Sequence, residues 1–338
     1  MLTAEARKTS DTNSPVERLH ALVAGDMVKA DALIHTRMTS AVPLIPELAR
    51  HLIDSGGKRL RPLLTLAGAR MAGYEGDGHV KLAAAVEFIH TATLLHDDVV
   101  DSSILRRGRD AANVVWGNKP SVLVGDFLFS RAFQLMVEAG SLEVLGILSN
   151  ASAIIAEGEV LQLKSANNLG TTEEHYLNVV SAKTAALFAA AAEAGMALAA
   201  PSRTATRAMH EYGQNLGIAF QFVDDALDYS GRQALMGKAV GDDFREAKVT
   251  LPVILAYARA ADRETRAFWG RVIETGVQAE SDLARAIALV QETGAIAETL
   301  HRAQGYADAA CKALAPLPPS EIKDTLVTVA EFCVERAY

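Results

Sequence analysis

Cysteine is nearly missing from this chain. Cys311 and Cys333 are the only two among 338 residues, which excludes a disulfide-built scaffold and fits a reducing compartment. Aromatic residues make up only 6%, while Ala and Leu abound, the composition of a helical protein rather than a β-rich one. Basic residues do not dominate either: 33 Lys and Arg against 41 Asp and Glu leave a net charge of −8. Nonspecific nucleic-acid binding is therefore excluded and no nucleic-acid partner is expected. The most membrane-like stretch, Thr184 to Ala200, is rich in Ala and broken by Glu193, so it reads as a buried core helix. Met1 to Ser14 mixes Arg7 and Lys8 with Glu5 and Asp11. It has neither the apolar core of a secretory signal nor the make-up of a transit peptide. Residues 1–14 are expected to be a disordered tail ahead of one domain over 15–338, in a soluble, cytoplasmic protein.

What is present is helical periodicity. Half of the residues are hydrophobic, and they recur at helical spacing nearly throughout, punctuated by Gly and Pro, with no alternating strand. Helices are predicted near 15–39, 43–54, 60–71, 78–103, 121–139, 142–165, 172–199, 203–229 and 251–260. Four more follow near 263–275, 280–293, 295–315 and 320–336. Thr171 with Glu174 suggests a capping-box start, and Gly73, Gly140 and Gly276 suggest stops. No Pro/Ser-rich linker divides the chain, so the expected fold class is all-α, a single large helical bundle.

Two copies of one acidic pentad stand out: Asp97-Asp98-Val99-Val100-Asp101 and Asp224-Asp225-Ala226-Leu227-Asp228. Each ends a mainly apolar helical run, where a cluster of carboxylates is costly unless something neutralises it. On a helix, residues i and i+4 share a face, so Asp97 projects with Asp101 and Asp224 with Asp228. Sparse pairs of hard oxygen ligands suit Mg2+, which keeps several waters and favours one or two carboxylates plus substrate phosphates. One such motif is common on solvated helix ends; two facing ledges would hold a polyphosphate between them.

Basic elements accompany the pentads. Gly56-Gly57-Lys58-Arg59-Leu60-Arg61-Pro62 is a Gly-led turn entering a helix, with a dense set of donors for a phosphate group. Arg106-Arg107-Gly108 follows the first pentad, and adjacent arginines can serve two different anions. Lys183-Thr184 lies in an apolar helical run where a lone Lys needs a partner. After the second pentad come Lys238 and the stretch Gly241-Asp242-Asp243-Phe244-Arg245-Glu246-Ala247-Lys248-Val249-Thr250-Leu251-Pro252.

In this order, GGKRLRP, FIHTATLLHDDVVDSSILRRG, GDF at Gly125 to Phe127, KT, FQFVDDALDYSG and GK…TLP, the chain resembles the trans-isoprenyl diphosphate synthase family from about residue 15 to the C-terminus. The stretch from Val86 to Asp101 is especially similar to the long-chain members, which make octaprenyl to decaprenyl diphosphate for quinone side chains. The resemblance implies an isoprenoid synthase-like bundle around a central cavity, and a homodimer that passes its product to membrane enzymes. It implies the following chemistry: an allylic diphosphate ionises, isopentenyl diphosphate attacks the cation, a proton leaves, and the lengthened product re-enters. It assigns Asp97, Asp101, Asp224 and Asp228 to the Mg2+ ions, with Asp98 and Asp225 acting through waters or basic residues. Arg106 is expected on the allylic diphosphate, and Lys58, Arg61, His90 and Arg107 on isopentenyl diphosphate. Lys183, Thr184, Gln221 and Lys238 are expected on the allylic side, and Lys248 in the closing loop. Departure of diphosphate needs charge stabilisation more than an acid. A unit charge pair at about 4 Å contributes roughly 1 kcal/mol in water and about 4 kcal/mol at an effective dielectric of 20. No dedicated base stands out, so the released diphosphate is the expected proton acceptor; His96 reads as a buried histidine.

A growing tail should run from the first pentad toward the N-terminus of its helix. Ala92 and Thr93 lie about 6–8 Å below Asp97 and are small; Ile89 and Val86 lie deeper. Met136, Leu148 and Phe133 are the expected floor. Ala239 and Ala247 depart from the family pattern, which often has Pro after Gly-Lys and Gly before the last Lys. A terpene cyclase is disfavoured by the intact second pentad and the basic turn. A shorter-chain geranylgeranyl diphosphate synthase and a noncatalytic subunit of a heteromeric synthase are the alternatives.

Overall fold

The computed structural model describes residues 14–199, 202–230 and 241–335. Lys238 and Ala239, and all of the expected tail except Ser14, lie outside them. Ser14 itself opens the first helix: its hydroxyl accepts from Glu17 N while the Glu17 carboxylate accepts from Ser14 N, a reciprocal cap.

The chain folds as α1 (Pro15–Leu22), α2 (Ala24–Arg37), α3 (Leu44–Ile53), α4 (Leu60–Met71) and α5 (Gly78–Val100). A two-residue hairpin follows, β1 (Leu105–Arg106) and β2 (Arg109–Asp110), then α6 (Ala112–Trp116), α7 (Asn118–Glu138) and α8 (Leu142–Ser165). Next are α9 (Glu173–Val180), α10 (Ala186–Ala197), α11 (Arg203–Asp228), α12 (Asp242–Arg245) and α13 (Leu251–Arg259). The remainder is α14 (Arg263–Trp269), α15 (Asp282–Glu292), α16 (Ala295–Ala313) and α17 (Glu321–Glu335). The all-α bundle expected from periodicity is what forms, and Gly73, Gly140 and Gly276 stand at positive φ where helices were expected to stop.

Four local differences have physical causes. The helix expected over 15–39 is two helices that break at Val23. The cap expected at Thr171 sits one residue on, where the Thr172 hydroxyl accepts from His175 N. Between α9 and α10 the chain takes a wider π turn, Ser181–Ala185, which carries Lys183 and Thr184; such insertions re-aim side chains and recur at functional sites. Arg106 and Arg107 lie on the hairpin, outside any helix, with Arg107 at φ +54°.

The core has three apolar clusters. One joins α5, α7 and α8; a second packs α11 against α13 to α16; a third joins α1, α4, α10, α11 and α17. Two stretches, Leu142–Ser165 and Glu173–Ala197, are long and apolar enough to cross a membrane by length and composition. The second is mostly buried between α4, α8 and α11, as expected for its apolar run.

Candidate active site

Both pentads sit at the C-terminal ends of their helices, α5 and α11, and meet one cavity of about 350 Å³. Asp101 lines it from the first pentad and Asp225 from the second, with Lys183, Thr184, Gln221 and Lys248 between them. The two carboxylates expected to share a face of α5 each hold an ammonium: Lys183 Nζ lies 3.4 Å from Asp97 and Lys248 Nζ 3.0 Å from Asp101. Lys248 comes from the segment after the second pentad, so its ion pair with Asp101 spans the gap between the jaws.

Gly158 explains how Lys183 gets there. A Cβ at residue 158 would stand 2.7 Å from Ala182 Cβ and 3.1 Å from Lys183 N, so only glycine lets α8 touch the π turn. The next residue, Glu159, then reaches Lys183 at 2.8 Å. Burial and the nearby Asp97 raise the Glu159 carboxyl to about 7, against the lowering pull of Lys183. Burial lowers the pKa of Lys248, but Asp101, Asp243 and Glu246 outweigh it and raise it.

The middle aspartates are tied to neighbours, Asp98 to a basic residue and Asp225 to neutral ones. Asp98 is fully buried and accepts from Arg106 Nε at 2.8 Å and also from Arg106 Nη2; burial raises its pKa and Arg106 opposes the rise. Arg106, expected on the allylic diphosphate, thus engages Asp98 in this arrangement. Asp225 accepts from Tyr176 Oη and, at 2.7 Å, from Gln221 Nε2, whose amide oxygen accepts from Thr184 Oγ1 at 2.9 Å. Burial pushes Asp225 up to about 7 despite those hydrogen bonds.

Asp228 is tied to the segment that returns after the second pentad. Its Oδ1 accepts from Gly241 N at 3.1 Å and Asp242 N at 3.2 Å, and its Oδ2 from Asp243 N at 3.0 Å. Both oxygens accept from backbone N–H groups, so Asp228 anchors the returning loop. Burial raises its pKa to about 6 against those backbone donors. Among the described residues, no three His, Cys, Asp or Glu side chains converge as a metal cage. Carboxylates completed by phosphate and water fit that arrangement, and Asp97 and Asp101 already attract cations.

The basic turn lies beside the first jaw. Gly57 sits at φ +151° with the Arg107 guanidinium 3.0 Å from where its Cβ would be, so the hairpin arginine lies directly on the turn. Arg61 Nη1 is 3.3 Å from His90 Nε2, and its guanidinium stacks 4.3 Å from the centre of the Phe188 ring. Burial lowers Arg61 to about 10, and burial with the nearby Arg61, Arg107 and Arg106 holds His90 well below its usual value, hence neutral at pH 7. Lys58 is exposed at the turn. Arg59 differs from the expected donor set, because its guanidinium pairs with Asp31 of α2. Sequence reasoning missed Glu87, a buried carboxylate one turn before His90. Its pKa is raised by burial and lowered by Arg59, Arg107 and Arg61.

The chain-length positions divide. Ile89, Ala92, Met136 and Leu148 are buried in one apolar cluster across α5, α7 and α8. Thr93 is half-buried, and its hydroxyl donates to His90 O. Phe133 is 37% exposed and packs on Phe129, at the margin of that cluster. His96, expected to be buried, is half-buried near Asp126.

Comparison with known proteins agrees with this geometry. The polyprenyl synthetase family profile matches residues 42–290. The chain is 42% identical to octaprenyl diphosphate synthase of Escherichia coli K12 over 324 residues, 95% of this chain and 99% of that protein. A decaprenyl diphosphate synthase structure from Rhodobacter capsulatus superposes with TM-score 0.91 at 56% identity, covering 96% of this chain and all of that one. A polyprenyl synthase from Caulobacter crescentus CB15, complexed with calcium and isoprenyl diphosphate, superposes with TM-score 0.92 at 54% identity, covering 96% and 98%. This chain belongs to the polyprenyl synthetase family.

Proposed function

We propose that the protein is a Mg2+-dependent trans-polyprenyl diphosphate synthase that lengthens an allylic diphosphate by repeated addition of isopentenyl diphosphate. The product is a long all-trans chain, octaprenyl to decaprenyl, in keeping with the octaprenyl and decaprenyl synthases it is similar to. The observation that carries the reading is the meeting of both pentads, with Lys183 and Lys248, on one cavity.

Asp97, Asp101 and Asp224 are the residues that would hold Mg2+, which supplies charge stabilisation for the departing diphosphate. Calcium and isoprenyl diphosphate together in the Caulobacter relative support a cation-bridged anion in such a pocket. Lys183, Lys248 and Arg106 place positive charge where the leaving oxygens gather it. The dipoles of Thr184 and Gln221 face the side on which the allylic cation develops. Lys58, Arg61 and Arg107 hold isopentenyl diphosphate, and neutral His90 donates a hydrogen bond there without adding charge. The released diphosphate takes the proton.

The reading extends to a cytoplasmic homodimer whose product passes to membrane enzymes for quinone side chains; the free Cys311 and Cys333 suit that reducing setting. Incubation with labelled isopentenyl diphosphate, farnesyl diphosphate and Mg2+, then chromatography of the dephosphorylated products, tests it. Elongation to eight to ten isoprene units, abolished by chelator, is the expected result; no elongation, or elongation that survives chelation, refutes it.

A further inference from the structure

Each metal-facing aspartate of the first pentad shares its lysine with a second carboxylate. Lys183 lies 3.4 Å from Asp97 and 2.8 Å from Glu159; Lys248 lies 3.0 Å from Asp101 and 2.5 Å from Glu246. The two glutamates come from different elements, α8 and the loop after α12, so one local turn does not produce the arrangement twice. Glu159 is also half-used: Oε2 takes Lys183, while Oε1 is buried without a hydrogen-bond partner.

We propose that Glu159 and Glu246 are positioning residues that receive Lys183 and Lys248 when divalent cations claim Asp97 and Asp101. The inference rests on the metal reading above. Without the glutamates, a cation arriving at Asp97 would displace an ammonium into a space with no counter-charge, a few ångströms from the new positive ion. With them, Lys183 stays on Glu159 and Lys248 on Glu246, with Asp243 nearby, and each remains at the cavity wall, turned toward the diphosphate. The unpartnered Oε1 of Glu159 offers the second contact that Lys183 needs once it leaves Asp97. Glu246 also faces Arg106, which it helps keep charged beside Asp98.

The test is divalent-cation affinity, measured as Mn2+ bound to the purified full chain by electron paramagnetic resonance in the presence of farnesyl thiolodiphosphate. Glu159→Gln and Glu246→Gln should each weaken Mn2+ binding by roughly tenfold, with unchanged circular dichroism. Glu159→Asp should recover part of the loss. In a Lys183→Gln background, Glu159→Gln should have no further effect, because there is no ammonium left to receive. Wild-type affinity in both glutamate variants overturns the proposal, as does an equal loss in the Lys183→Gln background, which would make Glu159 a ligand in its own right. Should Glu159→Gln not fold, Glu246→Gln on its surface loop decides alone. A wild-type chain that takes up no Mn2+ overturns the metal reading instead.

Discussion

Ala247 holds its backbone at φ +50° while its side chain is buried. An L-residue in that conformation costs roughly 1–2 kcal/mol, part of which glycine would return as chain entropy in the unfolded state. Ala247→Gly is therefore expected to stabilise the fold by about 1 kcal/mol, read as a higher melting temperature; an equal or lower one refutes the strain. The departure from the family's Gly was visible in the sequence, but its conformational consequence was not. The same contrast runs through the site. Asp97, Asp101, Lys183, Gln221 and Lys248 were legible because they sit in ordered motifs. Glu87, Glu159, Tyr176 and Glu246 were not, because a single Glu or Tyr in a helical run reads equally well as a solvated face or core. The tie of Asp228 to the returning loop was not legible, because its partners are backbone N–H groups thirteen to fifteen residues away, which no helical wheel brings near.

At the scale of elements, helix placement was legible because caps and apolar spacing are local. The π turn was not, since nothing in its own composition marks it and its close contact with Gly158 of α8 is between elements distant in sequence. One tie between elements makes a pH prediction. Asp26 of α2 is 2% exposed and accepts from Arg70 Nε of α4 at 2.5 Å, with His79 Nε2 of α5 3.2 Å away. Burial would raise its pKa, but hydrogen bonds from Arg70 and His79 outweigh that and hold it below 3.8. The stabilisation is thus fully present above pH 3.8 and lost as pH falls through the lower folded value. Asp26→Asn should cost on the order of 2 kcal/mol at pH 7 and flatten the acid limb of the stability profile in urea titrations; an unchanged acid limb refutes it. The α5–α7–α8 cluster makes another. Thr93→Phe should shorten the product by several isoprene units and Met136→Ala should lengthen it, as read by chromatography of dephosphorylated chains. Unchanged lengths in both variants remove the tail path from this cluster.

For the whole molecule, the outstanding question is what covers α8. Its outward positions Leu142, Gly146, Ser149, Ala153, Ala156, Val160 and Leu163 recur at intervals of three and four and are uncharged, with exposed Glu157 and Lys164 at the edge of the stripe. Leu142 is 87% and Val160 57% exposed, and Leu123 and Val137 extend the apolar surface onto α7. Only 28% of the most apolar window of α8 is buried, against 67% for the stretch through α10, although the two are similarly hydrophobic. Contiguous exposed apolar residues of this kind suit an association surface, and a two-fold copy of the chain would be self-complementary there. Phe133, 37% exposed, adds to the apolar surface of α7. The full chain is therefore expected to scatter light as a dimer of the 36.0 kDa polypeptide. Combining Leu123→Glu with Ala153→Glu would place four carboxylates in the symmetric contact, weakening association by about a hundredfold or more and leaving a folded monomer at micromolar concentration. A monomeric wild-type chain would leave this face without its partner, and a variant that still dimerises would move the contact elsewhere. The cavity between the pentads is built within one chain, so the monomer should keep Mn2+ binding. In the expected dimer the second copy would cover α7 and α8, beside the cluster of Met136 and Leu148 that is expected to stop the growing tail.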